Sequence, residues 1–370
     1  MQTLTQASEE LFRRGPDECF ATFDDLWHHC QEVKARSVDR WHPPGEIRVG
    51  LGCGRLGITL GNDGTYPLNE WSYSQLCGLA GVNKATINKL SAPTANQVFA
   101  ETLPRNGDKP LQVLTMTGEG TEPIRAIHAA SYTRLYDADL LSMVREFATD
   151  FQPPQQGMTP EGAGSTSKDD DIPFEPDPEP AQPRSTGLYR GEQDMFVFLI
   201  DPTGWTEIDG EAFAPGFFLW NSEVGKRTVG IQTFWFQSVC RNHIVWDAVE
   251  VVEFSRKHTT NVHDAFGEIR GIIERLVNKR DERRDGFVKV IRRAMDTRIG
   301  EGADEVLKVL TQRGITRVLA KEALESAKRS GRFTVFSLVD ALTRISGRMK
   351  FAGERTEADA RASALLALAV

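Results

Sequence analysis

The stretch from 188 to 253 limits the fold more than any other part of the chain. Its extended candidates are Met195–Ile200, Phe217–Asn221, Thr228–Phe236 and Ile244–Val252. Phe217-Phe218-Leu219-Trp220 and Phe234-Trp235-Phe236 are apolar at consecutive positions. Successive strand residues point to opposite faces, so both faces of these strands are apolar. A strand wetted on one side alternates, and these do not. They must lie under helices or against another subunit. Val224-Gly225-Lys226 suits a hairpin turn between the second and third candidates. The class implied is α+β: an antiparallel β-sheet packed against helices, with a long helical C-terminal part.

Four parts are expected around that stretch. Residues 1–150 form an N-terminal α+β part. Within it, 1–42 reads as helical, with Phe20, Phe23, Leu26 and Trp27 at helical spacing. Thr22 is the expected N-cap, with Asp24 and Asp25 in the first turn. Ile47, Val49 and Leu51 alternate, as do Ile58 and Leu60, and Gly61-Asn62-Asp63-Gly64 is a turn signal. Residues 69–100 read as helical with a break at Gly81-Val82, Leu111–Met116 and Ile124–His128 as strands, and Ala138–Phe147 as a helix. Residues 151–187 carry eight prolines and seven acids against two bases, so this part is expected to be a disordered acidic linker or insertion. Residues 188–253 form the β-rich core and 254–370 a basic helical part. There, Phe266, Ile269, Ile273, Leu276 and Val277 share one face of a helix. Phe287, Ile291, Ala294 and Met295 share a face of the next, opposite Lys289, Arg292 and Arg293.

Net charge is −8 over 370 residues, but it is divided. From Arg256 to Lys350 there are 22 Lys/Arg and 13 Asp/Glu, a net of +9 that leaves −17 for the remainder. Lys279, Arg280, Arg283, Arg284, Lys289, Arg292 and Arg293 fall within fifteen residues, tempered by Asp281, Glu282 and Asp285. Such a face either solvates local ion pairs or tracks phosphates. No apolar run is long enough for a membrane span, no secretory signal is visible, and five scattered cysteines suit reduced thiols in a cytoplasm.

Several short motifs carry possible chemistry. Gly52-Cys53-Gly54-Arg55-Leu56-Gly57 matches a dinucleotide fingerprint, but a strand comes next where a helix should receive the pyrophosphate. Glycines at bends of paired strands account for it better, and no cofactor is expected. His28-His29-Cys30 are adjacent, and adjacent helical residues diverge by about 100°, which disfavours one shared metal. Leu76 to Leu90 resembles a helix-turn-helix, with an ordinary helical hairpin as the favoured account because the unit carries little positive charge. Asp194, Glu223 and His243 offer a second possibility, a magnesium- or manganese-dependent nucleic-acid-processing enzyme. No Walker loop or nucleophile elbow is present. Asp169-Asp170-Asp171-Ile172-Pro173-Phe174 resembles the acidic tip of bacterial single-stranded-DNA-binding proteins, except that Glu175 comes after the phenylalanine. In such a tip Ile172 and Phe174 fill an apolar pocket while the aspartates face basic residues of a partner.

Longer stretches resemble a family. They are Arg14-Gly15-Pro16-Asp17-Glu18-Cys19-Phe20, Tyr73-Ser74-Gln75-Leu76, Ile124-Arg125-Ala126 with Ser131-Tyr132, and Asp194–Phe198. The C-terminal ones are Gly216–Gly225, Cys240–Trp246, Arg256 and His258. Together these are similar to the phage/plasmid-like proteins catalogued as domain of unknown function 932. The resemblance covers most of the chain outside 151–187. It departs at Gly15 and at Cys19, which stands where an arginine is common. It implies a phage, plasmid or other mobile element as habitat and no particular activity.

The expected function is single-stranded DNA binding of the annealing or recombination type, by strand holding rather than bond chemistry, in a homo-oligomeric ring or filament. Arg256, Lys257 and the seven cations from Lys279 to Arg293 would track phosphates. Asp169–Phe174 would recruit host replication or recombination proteins. A third possibility is an interaction protein that acts through this tip-like segment alone.

Overall fold

The computed structural model describes residues 17–52, 55–62, 64–104, 109–118, 122–154, 187–237, 243–246, 253–329 and 333–370. The chain is α+β, about 47% helical and 25% strand, with antiparallel sheets and helices concentrated toward the C-terminus.

The first elements are β1 (Glu18–Cys19), α1 (Phe23–Arg36) and β2 (Ser37–His42). Thr22 caps α1, accepting from the Asp25 N–H at 3.1 Å. The expectation of helix through residue 42 fails at Ser37, where the chain turns extended and pairs with Leu111–Met116 over six residues. β3 (Ile47–Gly52), β4 (Arg55–Leu60) and β5 (Thr65–Pro67) form a small antiparallel sheet. Gly52 pairs with Arg55 there, so the described residues of the fingerprint lie on paired strands, and Cys53 and Gly54 lie outside the described residues. α2 (Glu70–Leu79), α3 (Lys84–Ile87) and α4 (Ala92–Thr102) come next, then β6 (Leu111–Met116), β7 (Ala126–Ala129) and α5 (Asp137–Phe147). β2, β6 and β7 make a second three-stranded sheet.

The eight-stranded sheet takes β8 (Leu188–Arg190), β9 (Met195–Ile200), β10 (Thr206–Ile208), β11 (Glu211–Asn221), β12 (Val229–Gln237), β13 (His243–Trp246) and β14 (Glu253–Arg256), with β1 at one edge. β9 is buried along its whole length. β11 contains Pro215, which a central strand tolerates poorly. Its neighbour β9 pairs from Gly216 onward, and just beyond it the Pro215 carbonyl still accepts the Asp201 N–H at 2.8 Å, so only the return donor is missing.

The face of Phe196, Phe198, Phe218, Phe234 and Phe236 packs with Ala352, and Arg355 bonds the Tyr189 hydroxyl there; two groups of helices share the opposite face. α6 (Ala265–Asn278) joins α1 and α5 over Val197, Leu199, Phe217 and Leu219. α7 (Arg280–Asp296) stacks Phe287 on Trp235, centroids 4.1 Å apart. α7, α8 (Ala303–Gln312), α9 (Arg317–Arg329), α10 (Val335–Ser346) and α11 (Ala352–Ser363) share the second large core.

The part boundaries expected at 150 and 188 do not divide the core. β1 pairs with β8, and α1 and α5 pack on the large sheet. Phe151 meets Phe217 edge-on, and Gln152 bridges Ile200. The linker expected at 151–187 therefore begins with ordered residues. Residues 155–186, including Asp169–Phe174, lie outside the described residues.

Candidate functional site

Two places gather the candidate site residues: a buried ionic centre under the β11–β12 turn and the outer faces of the basic helices.

The centre forms where β11 ends. Asn221 has its side chain turned inward, and its Nδ2 donates to the Leu135 carbonyl at 2.9 Å and to the Asp137 carboxylate at 2.8 Å. Ser222 Oγ donates to the Gln193 carbonyl and accepts from the Lys226 N–H at 2.8 Å. Gly225 has φ +71°, and a Cβ there would sit 2.6 Å from His128 Cε1. Conformation and space both demand glycine.

Glu223 is 2% exposed. One carboxylate oxygen accepts from Arg125 at 2.7 Å and from Arg190 at 3.3 Å, and the other accepts the Asp137 N–H at 3.0 Å. Arg190 also reaches Asp137 at 3.2 Å. Arg134 donates to the Glu223 carbonyl and forks onto Asp39, at 2.6 Å in its shortest contact. Three guanidiniums thus meet three carboxylates, which is how buried charge is tolerated. Burial alone would raise the Glu223 carboxyl, but Arg125 and Arg190 outweigh it and hold the group below its ordinary value. Asp137 goes the other way: burial, then the charge of Glu223, push it up to about 7 against the pull of Arg190. A cleft of ≈ 330 Å³ lined by Glu18, His29, Glu122, Arg125 and Arg190 lies alongside. Arg125 and Arg190 reach it beside the outer carboxylates Glu18 and Glu122, and Glu223 and Asp137 do not line it.

A ring stack closes the other side. Tyr132 lies on His128 at 3.7 Å and near His258 at 5.4 Å, and its hydroxyl donates to the Glu223 carbonyl at 3.0 Å. Burial and then Arg134 push His128 down to about 3. Burial chiefly pushes His258 down to about 4. The arrangement clamps β7 and α5 to the β11–β12 turn. Arg125, Tyr132, Asn221–Gly225 and His258 belong to the stretches that carry the family resemblance, and the fold brings them together. Arg134, Asp137, Arg190, Asp39 and His128 complete the centre, and sequence reasoning misses them as site residues. They come from separate segments, and no local spacing marks them.

Asp194, Glu223 and His243 do not form a metal-ligand set. The Asp194 carboxylate takes Arg227 at 2.8 Å, and both Glu223 oxygens are filled by N–H donors. His243 pairs with Gln237, which pairs with Phe213 at the far end of β11. Ten residues separate Phe213 from Glu223, about 30 Å of extended chain. Among the described residues no group of three or more His, Cys, Asp or Glu is arranged to hold a metal. His28 and His29 diverge as expected: His28 bonds the Asp24 carbonyl, and His29 faces Arg190.

The nine cations expected to track phosphates divide. Arg280 pairs with Asp201, Arg284 pairs with Asp281 and Asp285, and Arg283 is buried. These three are withdrawn from any phosphate surface by their carboxylates or by burial. Arg256 reaches Asp264 at 3.2 Å and the Asn261 carbonyl at 2.9 Å. Lys257, Lys279, Lys289, Arg292 and Arg293 are exposed. Of these, only Arg292 has a carboxylate within reach among the described residues, Asp209 at 4.0 Å.

The helix-turn-helix weighed at 76–90 is a short corner. α3 has four residues, and Lys84 turns inward to Glu70 and Ser74. No described helix is long and apolar enough to cross a membrane. No family model matches the chain, nor does any curated protein or solved structure.

Proposed function

We propose that the protein binds single-stranded nucleic acid and holds strands without breaking a bond, as an annealing- or recombination-type protein of a phage, plasmid or other mobile element. The observation that carries this is the C-terminal half of α7. Lys289, Arg292 and Arg293 lie together on its solvent face, while Phe287, Val290, Ile291 and Ala294 fix the opposite face in the core. A rigid helix that presents three cations on one turn is suited to following a phosphate backbone. Lys279 at the start of the same helix and Lys257 after β14 are further exposed cations along the way, and homo-oligomers would repeat the set. The resemblance to the phage/plasmid-like family supports the habitat. Recruitment of host replication or recombination proteins through Asp169–Phe174 belongs to the same proposal.

Filter binding of labelled single strands across a salt series tests it. Affinity should fall steeply with salt. In the triple variant Lys289→Ala, Arg292→Ala, Arg293→Ala the slope of log K against log salt should shrink by about 2, near 0.7 for each lost phosphate contact. Salt-independent binding, or a triple variant with the wild-type slope, overturns the proposal.

A further inference from the structure

We infer that α8 and α9 form a helix-turn-helix that docks α9 in the major groove of duplex DNA, a surface and a nucleic-acid form separate from the strand-holding face of α7. α8 ends in a glycine cap of the Schellman type. The Gly314 N–H donates to the Thr311 carbonyl and the Ile315 N–H to the Leu310 carbonyl, both at 3.1 Å. Gly314 has φ +81°. Ile315 and Leu310 are both buried at the corner, and Thr316 Oγ1 accepts the Leu319 N–H to start α9. A four-residue turn with glycine between two helices is the geometry of this motif.

The inner face of α9 is Ala320, Ala323, Leu324 and Ala327, all buried. Three alanines let it lie close on its neighbours and leave the outer face projecting. That outer face begins with Arg317, Val318 and Lys321, and Arg313 stands beside it in the turn; all four are exposed. None of the three cations has an ion pair among the described residues. Arg317 and Lys321 are four apart on one helix, a like-charge pair that costs stability by itself. Val318 is 75% exposed, the most of any large apolar side chain described. Left three-quarters bare, its side chain gains little from burial in this fold. Cations flanking an exposed valine at the start of the second helix suit a polyanion that also displays methyl groups, which is the major groove with its phosphate walls and thymine methyls. At thirteen residues, α9 is about 20 Å long and spans that groove.

The test is fluorescence anisotropy of the full chain with a labelled duplex and a labelled single strand of equal length. Arg317→Ala with Lys321→Ala should weaken duplex binding about tenfold or more and reduce its salt slope by about 2, leaving single-strand affinity unchanged. Val318→Asp, also at an exposed position, should weaken duplex binding with the single strand unaffected; circular dichroism checks that each variant is folded. The α7 triple variant should show the reverse pattern, so failure of either surface is read separately. A wild-type chain that does not bind duplex, a double variant that binds it normally, or equal losses on both probes overturns the inference.

Discussion

The corner at Ala80–Asn83 and the corner at Arg313–Thr316 are built from the same parts. Each has a helix ending on a glycine with positive φ, Gly81 at +67° and Gly314 at +81°. Each glycine precedes a β-branched apolar residue and a capping side chain, Val82-Asn83 in one and Ile315-Thr316 in the other. The Val82 N–H returns to the Cys77 carbonyl as the Ile315 N–H returns to Leu310. The second helices differ. α3 ends after four residues in tight turns, Lys89 N–H to the Thr86 carbonyl and Leu90 N–H to the Ile87 carbonyl, and Ser91 then caps a new helix with Pro93 in its first turn. α9 meets no such stop and runs thirteen residues. The first cation of each helix also goes a different way: Lys84 folds back on Glu70, and Arg317 faces solvent. One local code therefore serves a packed corner in one place and a displayed helix in the other. The residues beyond the cap decide between them.

The strongest way to break the comparison is to show that the corners do not share the same anchoring. Leu76 and Leu310 each lie fully buried in the last turns of the first helix of their pair. Leu76→Ala and Leu310→Ala should each destabilise by about 2–5 kcal/mol, as lost burial and the residual cavity add. Urea unfolding of the two variants checks this. A loss under about 1 kcal/mol at either site would mean that corner is loosely held.

Much of this architecture is legible in the sequence and little of the centre is. Met195–Ile200 is the strand expected, Val224-Gly225-Lys226 turns the hairpin, and Thr22 caps its helix. Each depends on neighbours within a few positions. β2 reads as helix in the sequence because Ser37–His42 becomes extended only through pairing with Leu111–Met116, a distant segment of the chain. The centre at Glu223 draws on Asp39, Arg125, Arg134, Asp137 and Arg190, and only tertiary structure connects them. The basic run is visible as charge. Its division into paired and exposed members is not, since Asp201 meets Arg280 from the end of a distant strand.

The second difference between the two regions is how each is fastened. The Leu76 corner is tied to the sheet through Gln75, whose side chain accepts the Ile127 N–H at 2.8 Å and reaches His128 at 3.4 Å. His128 and His258 are held neutral by burial, with folded values of about 3 and 4. Lowered histidines give stability that is full above the unfolded value near 6.5 and is lost as pH falls toward the folded one. Asp137, raised to about 7, runs the other way, and its contribution is lost as pH rises through 7. Acidification from pH 6.5 to 4 should thus cost about 3 kcal/mol for each histidine, at 1.36 kcal/mol per unit. His258→Phe keeps a ring beside Tyr132 and should flatten this part of the thermal stability profile. An unchanged profile would place the acid response elsewhere.

The smallest effect separates the corners most directly. Lys84 is partly buried, contacts Glu70 and Ser74, and lies 5.8 Å from the Tyr73 ring centre. Lys84→Ala should cost about 1 kcal/mol, the upper range for a partly shielded pair. Among the described residues Arg317 has no ion pair, and its removal relieves the repulsion from Lys321. Arg317→Ala should therefore leave the unfolding midpoint unchanged or raise it slightly. Equal destabilisation of the two variants would mean that Arg317 is structural, and α9 would be a packed helix like its N-terminal counterpart. A stable Arg317→Ala protein beside a weakened Lys84→Ala protein would mean that the second corner keeps its leading cation in solvent without a folding benefit.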